Sequence, residues 1–382
     1  MSIRKSPPPT TQPGPGSSVA LAKRARVEDE EDEHDPTRMT LTVASSGEGQ
    51  RKNALVRTIK RTSGLEAPIV ALSGSHGGEI TACKFDPSGR TLAACSVDRS
   101  ISLWNTFPPH DNFGLLPNVH KQAVLDIGFS LDSEVIYSGG ADGMLVATSL
   151  RSGERLARYS AHFGPLNSLA VTISGGRELV LTGGDDGIAR VWDIGMDTKE
   201  PVAEFDDGRD CPVTAVEWSA DGNQCFVGGV DNEVKVWDLR TVKVLYSLHG
   251  HTDTITSLAL SPSGHYLATY SLDSALIIYD IRPFSSDPMR VYRSLTGAPA
   301  GFESCLIRVA WSKHDGGQRI AVGGGDRTVT VWDVESGKIL YKLPGHKGTV
   351  TGVDLHPREP IILTGSKDAN MLLGELDATD YS

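Results

Sequence analysis

Along Leu181 to Asp193, LTGGDDGIARVWD, an apolar run ends in a tight polar turn closing on Asp186, after which apolar and polar positions alternate up to Trp192. Short strands around a hairpin turn have this pattern. It returns six more times, with the turn aspartate at Asp98, Asp142, Asp186, Asp231, Asp273, Asp326 and Asp368, in steps of 44, 44, 45, 42, 53 and 42 residues. Further strands read VTAVEW (Val213 to Trp218) and ITSLAL (Ile255 to Leu260), followed by the turn pairs Asp221-Gly222 and Ser263-Gly264. Around Trp237, Val234 and Val236 share one strand face while Glu233, Lys235 and Trp237 share the other. Such alternation suits sheets stacked around an axis, each burying both faces against its neighbours. The pattern predicts an all-β chain of seven units with four strands each.

A period in the low to middle forties with a Trp-Asp ending resembles the WD-repeat propeller family. The ending is Trp192-Asp193, Trp237-Asp238 and Trp332-Asp333, softened to Trp104-Asn105 and Tyr279-Asp280, and lost at Thr148-Ser149 and Gly374-Glu375. Upstream, a histidine precedes the aspartate by 22 residues at His76, His120, His251 and His346, and by 24 at His162. The fourth repeat has Arg209 there and the sixth has no equivalent, so those two blades are expected to close less tightly. The resemblance implies a seven-bladed WD-repeat β-propeller over residues 65–376. In a closed ring an unpaired edge at the seam would leave backbone groups unsatisfied, so Ile69 to Leu72 is expected to complete the last blade.

Composition adds the flanks. Residues 1–64 hold a Pro/Ser/Gly-rich stretch, the basic residues Lys23, Arg24 and Arg26, and an acidic run from Glu28 to Asp35. Low hydrophobicity with blocks of like charge predicts a disordered N-terminal tail, and residues 377–382 a short C-terminal one. Lys23, Arg24 and Arg26 read either as a nuclear import signal or as a solvated charge run. The first 64 residues carry 11 Lys/Arg against 8 Asp/Glu, a net of +3; with −11 for the whole chain, the rest carries −14. An acidic ring argues against direct RNA or DNA binding, where phosphate neutralisation supplies most of the affinity. The N-terminus has no apolar signal-peptide core, and no apolar run is long enough to span a membrane. Five scattered cysteines without paired or metal-ligand spacing read as reduced thiols, although Cys83 and Cys95 fall on one hairpin.

His162, Thr182, Asp186 and Trp192 contain the residue types of a hydrolase triad. The set recurs, however, as His251, Thr269, Asp273 and as His346, Thr364, Asp368. Catalysis needs one constellation, whereas a repeated fold needs the same staple in each unit. In the WD-repeat family this set resembles a tetrad in which the aspartate accepts from the histidine, the histidine bonds the hydroxyl and the hydroxyl meets the indole N–H. There is no GxxxxGK[ST], HExxH or GxSxG motif. Nothing calls for a cofactor, a metal or a small-molecule ligand, and the reading is a binding protein, not an enzyme.

Several stretches between the shared motifs are more specific. EAPIVALSG before the first blade, GGVDNEVKVWDLR (Gly228 to Arg240), DIRPF (Asp280 to Phe284), ILYKLPGH with HPREPIIL (Ile339 to Leu363) and MLLGEL (Met371 to Leu376) are similar to the WD-repeat subunits of the spliceosomal U5 small nuclear ribonucleoprotein (U5 snRNP). The resemblance implies a nuclear, non-catalytic scaffold subunit in pre-mRNA splicing, monomeric within a hetero-complex. It would dock on the large scaffold protein of that particle beside other spliceosome proteins, with RNA association indirect. Arg282, Pro283 and Phe284, beside the long 53-residue step, are the candidate contact; the alternative is a rigid turn with Phe284 tucked against the blade. A second reading, a substrate receptor of a cullin-type ubiquitin ligase, would use Trp237, Asp238 and Arg240 as a WDxR box, which is also an ordinary blade ending. A G-protein beta subunit would need an N-terminal heptad helix, and residues 1–64 show none.

Overall fold

The computed structural model describes residues 63–196, 198–285 and 287–376. The import candidates Lys23, Arg24 and Arg26, the expected tail up to residue 62 and the C-terminal residues 377–382 lie outside the described residues. The described chain forms seven four-stranded antiparallel sheets, and six of them run in strict chain order. The seventh, made of Val350–Leu355, Ile361–Ser366 and Met371–Glu375, takes Ile69–Leu72 as its outer strand, in register from Ile69 opposite Gly374 to Leu72 opposite Met371. Nearby, Ser63 N donates to Glu375 Oε1 at 2.8 Å and Gly64 N to Glu359 Oε2 at 2.7 Å. The seam is thus closed by pairing the two ends of the described chain.

There is no single core. Buried apolar residues form seven clusters, each between neighbouring blades. Period-two alternation explains why: Val234 and Val236 of blade four pack toward blade five, while Trp237, on the other face of the same strand, packs with blade three. Both faces of every sheet are therefore spent on neighbours.

A polar mechanism joins the blades near the axis. In six of the seven blades the register slips at the second residue of the innermost strand, a β-bulge. The bulged side chain turns toward the next blade and bonds its backbone carbonyl: Thr81 Oγ1 to Val124 O at 2.7 Å, Asn167 Nδ2 to Val213 O at 2.9 Å, Thr256 Oγ1 to Ile307 O at 3.1 Å and Thr351 Oγ1 to Ile80 O at 2.6 Å. Thr214 bonds Ile255 O in the same way, and apolar Leu125 alone does not suit the role. A second belt accepts backbone N–H groups, with Asp126 bonding Leu169 N, Ser257 bonding Val309 N and Asp354 bonding Phe85 N.

The innermost strand of blade six, Val309–Trp311, has no such bulge and is only three residues long. Arg308 precedes it. Its Nη2 donates to Asn167 O at 2.7 Å and lies 3.3 Å from Asp126 Oδ2, and its Nη1 is 3.4 Å from Ser168 Oγ. In a ring of seven, blade six stands opposite blades two and three, so this guanidinium crosses the axis and ties the ring across its diameter.

Candidate interaction surfaces

In each four-stranded sheet, the connections between strands one and two and between strands three and four fall at one end, and the remaining connections at the other. The turn aspartates and staple histidines occupy the second end. In blade three, His162 Nδ1 is 2.8 Å from Asp186 Oδ1, His162 Nε2 is 2.9 Å from Thr182 Oγ1, and Trp192 Nε1 donates to Thr182 Oγ1 at 3.0 Å. A neutral imidazole satisfies the whole chain: Nδ1–H donates to the carboxylate and Nε2 accepts from the hydroxyl. Thr182 is fully buried and engaged on both sides, which suits a staple and not a nucleophile. Arg190 Nη1 adds 2.7 Å to Asp186 Oδ2. Burial pushes the Asp186 carboxyl up, but the bonds from His162 and Arg190 outweigh it and hold the group well below the usual carboxylate range.

The other blades vary this theme. His251 meets Asp273 at 3.0 Å and Thr269 at 2.6 Å, but Tyr279, in place of the tryptophan, donates past the staple to His249 O. His346 meets Asp368 at 3.2 Å and Thr364 at 2.8 Å, with glycine where the indole would stand. In blade one the hydroxyl comes from Ser102 on the third strand, while Ala94 holds the usual position. In blade two His120 bonds Asp142 and Ser138, again without an indole.

Blade four differs from the expectation of a loose closure. Arg209 does not take the histidine's place; it lies half exposed, 3.6 Å from Glu233. Instead Lys235 reaches both Asp207 and Asp231, a partly buried ionic triad in place of the imidazole. The hydroxyl position is Val227, and the buried Trp237 Nε1 is left without an acceptor. Blade six has no histidine at the staple position: Asp326 caps Thr328, and the buried Thr330 hydroxyl is unbonded.

Burial, the largest influence, pulls the imidazoles of His76, His120 and His346 below 6.5 despite the opposing pull of their aspartates. Because the folded value lies below the unfolded one, the unfolded chain takes up these protons first as pH falls. Their contribution is then complete above about pH 6.5 and declines as pH drops toward the folded values. The staple aspartates, held below 3.8, add their loss only at more acid pH. Melting temperature is therefore expected to hold from about pH 7.5 to about pH 6.5 and to fall from there toward about pH 5.5. A flat profile over that window would contradict this account of the histidines.

The thiols do not pair. All five cysteines are free, and Cys83 and Cys95 lie at adjacent, non-opposed positions of their hairpin, with Ala82 opposite Cys95. Burial raises the Cys95 thiol to about 12, so it is inert near neutrality.

Arg282, Pro283 and Phe284 lie in the connection between strands three and four of blade five, at the end opposite the turn aspartates. Phe284 is 97% exposed and not tucked against the blade. Arg282 forks onto Asp280 with bonds of 2.8 and 2.6 Å. Much of the long step proves to be ordered blade: Val291–Thr296 is the outer strand of blade five. Asp238 caps Arg240 N at 2.9 Å, the same turn that Asp193 makes with Gly195 and Asp280 with Arg282. Trp237, Asp238 and Arg240 are thus built like other blade endings. Two residues that sequence reading passed over, Phe163 at 98% and Phe302 at 106%, stand fully exposed at the turn-aspartate end. They leave no periodic signal, because each sits in a connection outside the alternation.

The family of the WD domain, G-beta repeat, matches residues 67–105, 153–193, 199–238, 242–280, 301–333 and 337–373. The longest stretch it passes over, residues 106–152, holds the outer strand of blade one and the first three strands of blade two, where Thr148-Ser149 replaces Trp-Asp although all four strands of that blade are present. The chain is 38% identical to the pre-mRNA-splicing factor cwf17 of Schizosaccharomyces pombe, over 84% of this chain and 91% of that one. It is 40% identical to the U5 small nuclear ribonucleoprotein 40 kDa protein of Bos taurus, over 83% of this chain and 86% of that one. To the protein of the same name in Dictyostelium discoideum it is 39% identical, over 88% and 91%. A more general propeller, the WD repeat-containing protein 37 of Pongo abelii, shares 24% over 57% of this chain. Repeats, ring and chain-long identity agree: this chain belongs to the WD40 repeat family, in the branch of the U5 small nuclear ribonucleoprotein 40 kDa proteins and the splicing factor cwf17.

Proposed function

We propose that the chain is a non-catalytic scaffold subunit of the spliceosome, a nuclear component of the U5 snRNP that acts in pre-mRNA splicing by holding the large central scaffold protein. The observation that carries this reading is identity of 38–40% over 83–88% of the chain with proteins named for splicing or for that particle. The engaged hydroxyls of the staples support a role without catalysis, and the acidic balance of residues 65–382 supports contact through protein, with RNA held indirectly. Arg282, Pro283 and Phe284 are proposed as part of the docking surface, since an exposed aromatic beside an arginine has the character of an interface hot spot.

The test is capture of the particle by tagged variants. Phe284→Ser removes an exposed ring and leaves the blade intact. Loss of a hot spot costs about 2 kcal/mol or more, on the order of 30-fold in affinity. The expected result is strongly reduced recovery of the large scaffold protein with Phe284→Ser and unchanged recovery with Arg240→Ala. The reverse pattern, with a cullin adaptor lost from the Arg240→Ala eluate, would favour the ligase reading.

A further inference from the structure

Three arginine–tyrosine stacks occur among the described residues, and all are built from blades four and five. Arg290 sits 4.5 Å from the ring centre of Tyr246, Arg282 5.7 Å from that of Tyr266 and Arg293 5.7 Å from that of Tyr292. Tyr266 and Tyr292 also pack on each other, 4.7 Å between ring centres. Beside them, at the end opposite the turn aspartates, a cleft of about 250 Å³ opens between blades five and six. Its walls include Tyr266, Tyr292 and Trp311, and its polar lining includes Gln318 and Glu335.

The lining is rich in acceptors. Gln318 Oε1 is buried and accepts no hydrogen bond, and a buried unpaired acceptor is a standing cost that a donor would relieve. Glu335 is exposed and has no ion-pair partner among the described residues. Trp311 Nε1 is already committed to Gly317 O at 2.7 Å, so the indole offers the cleft a face and not a donor. No basic residue lines the cleft; at its edge stand Arg282, neutralised by its fork onto Asp280, and Arg293, which rests over Tyr292 and against Gly337. The cleft is also smaller than the roughly 300–1,000 Å³ that holds a drug-sized ligand, which suits one side chain.

Aromatic faces with unpaired acceptors at the edge select a planar cation with several N–H donors. We propose that this cleft receives an arginine side chain from an extended segment of a partner protein, its guanidinium laid against the Trp311 face beside the two tyrosines and paired with the Glu335 carboxylate. The stacks already present show that tyrosine faces on blades four and five take guanidinium groups. Lysine fits less well, because its ammonium is a compact point charge without a plane to stack. Exposed Phe284 and the half-exposed Met289 stand on the same connection as Arg282 and give apolar contact to the residues flanking that arginine. The assignment goes beyond the spliceosomal reading and does not rest on it.

The test uses the full chain labelled with 5-fluorotryptophan, with the Trp311 signal identified through Trp311→Phe. Three capped peptides are titrated: Gly-Leu-Arg-Leu-Gly, the same peptide with citrulline for arginine, and the same with aspartate. The expected result is a saturable shift of the Trp311 signal with the arginine peptide, at least tenfold weaker binding of the citrulline peptide, and loss of the shift in Glu335→Lys. Glu335 is exposed, so that variant is expected to melt as the parent does. Equal binding of the citrulline peptide, preference for the aspartate peptide, or no shift at millimolar peptide would overturn the proposal. A Trp311 signal that moves in Glu335→Lys alone and ignores every peptide would assign the cleft to this chain's own basic segments, and would overturn it equally. Capture of the U5 particle is read separately on the same variant, so failure here is distinguishable from failure of the spliceosomal reading.

Discussion

Replacing Arg308 by methionine is expected to destabilise the propeller by about 3–5 kcal/mol, because it leaves the buried Asp126 carboxylate without its cation. Asp126 is 2% exposed and keeps only the backbone donors of Ile127 and Leu169. The loss would propagate, since Arg308 also holds Asn167 O, and Asn167 is the clasp between blades three and four. Replacing the pair together, Asp126→Asn with Arg308→Met, removes the unpaired charge and is expected to recover most of the loss, as buried ion pairs often exchange for neutral groups at little net cost. Chemical denaturation of the two single variants and the double variant measures this coupling. Additive effects would mean that the contact across the axis contributes nothing specific.

Asp186→Ala is expected to be similarly severe, about 3–5 kcal/mol, or on the order of 10 °C in melting temperature. Asp186 is the hub of blade three, bonded by His162, Arg190 and the backbone N–H groups of Phe163 and Ile188. Its removal strands an arginine that is only 8% exposed, and Glu204 on the other side of that arginine is half in solvent and screened. The corresponding change at Asp326 is expected to be much milder, since that aspartate caps only its own turn and no histidine or arginine depends on it. Equal losses at Asp186 and Asp326 would show that turn geometry, not the staple, carries the energy.

The contrast between these two aspartates shows where sequence reading ends. The turn aspartates, the strands beside them and the strand at the seam follow from local alternation and a period, so they could be read directly. Three of the staples follow for the same reason, because histidine, hydroxyl and aspartate keep fixed offsets. Blade four could not be read this way. The position of the missing histidine drew attention to Arg209, whereas the group that fills the site is Lys235, two strands away and adjacent only once the blade has folded. Blade one moves its hydroxyl from the second strand to the third, so Ala94 looks like a gap in the sequence and Ser102 closes it in space.

The belts around the axis were not legible for a deeper reason. Thr81, Thr256 and Thr351 look like ordinary strand threonines, and only the bulge that rotates them toward the next blade gives them a function. Arg308 belongs to no repeated pattern at all; its partners are set by seven-fold closure, which places blade six across from blades two and three. The cleft at Gln318 and Glu335 likewise draws its walls from two blades. Its arginine–tyrosine neighbours are built from blades four and five, where an acidic total charge conceals a local run of basic residues.

The central claim is membership of a working U5 particle through protein contact. It is tested most directly by purifying the tagged full chain from nuclear extract at moderate salt and identifying the RNA and protein recovered, with and without nuclease. Recovery of U5 snRNA together with the large scaffold protein, and survival of the protein pair after nuclease, is the predicted result. A eluate without U5 snRNA and scaffold, or a pair that falls apart once the RNA is digested, would contradict it.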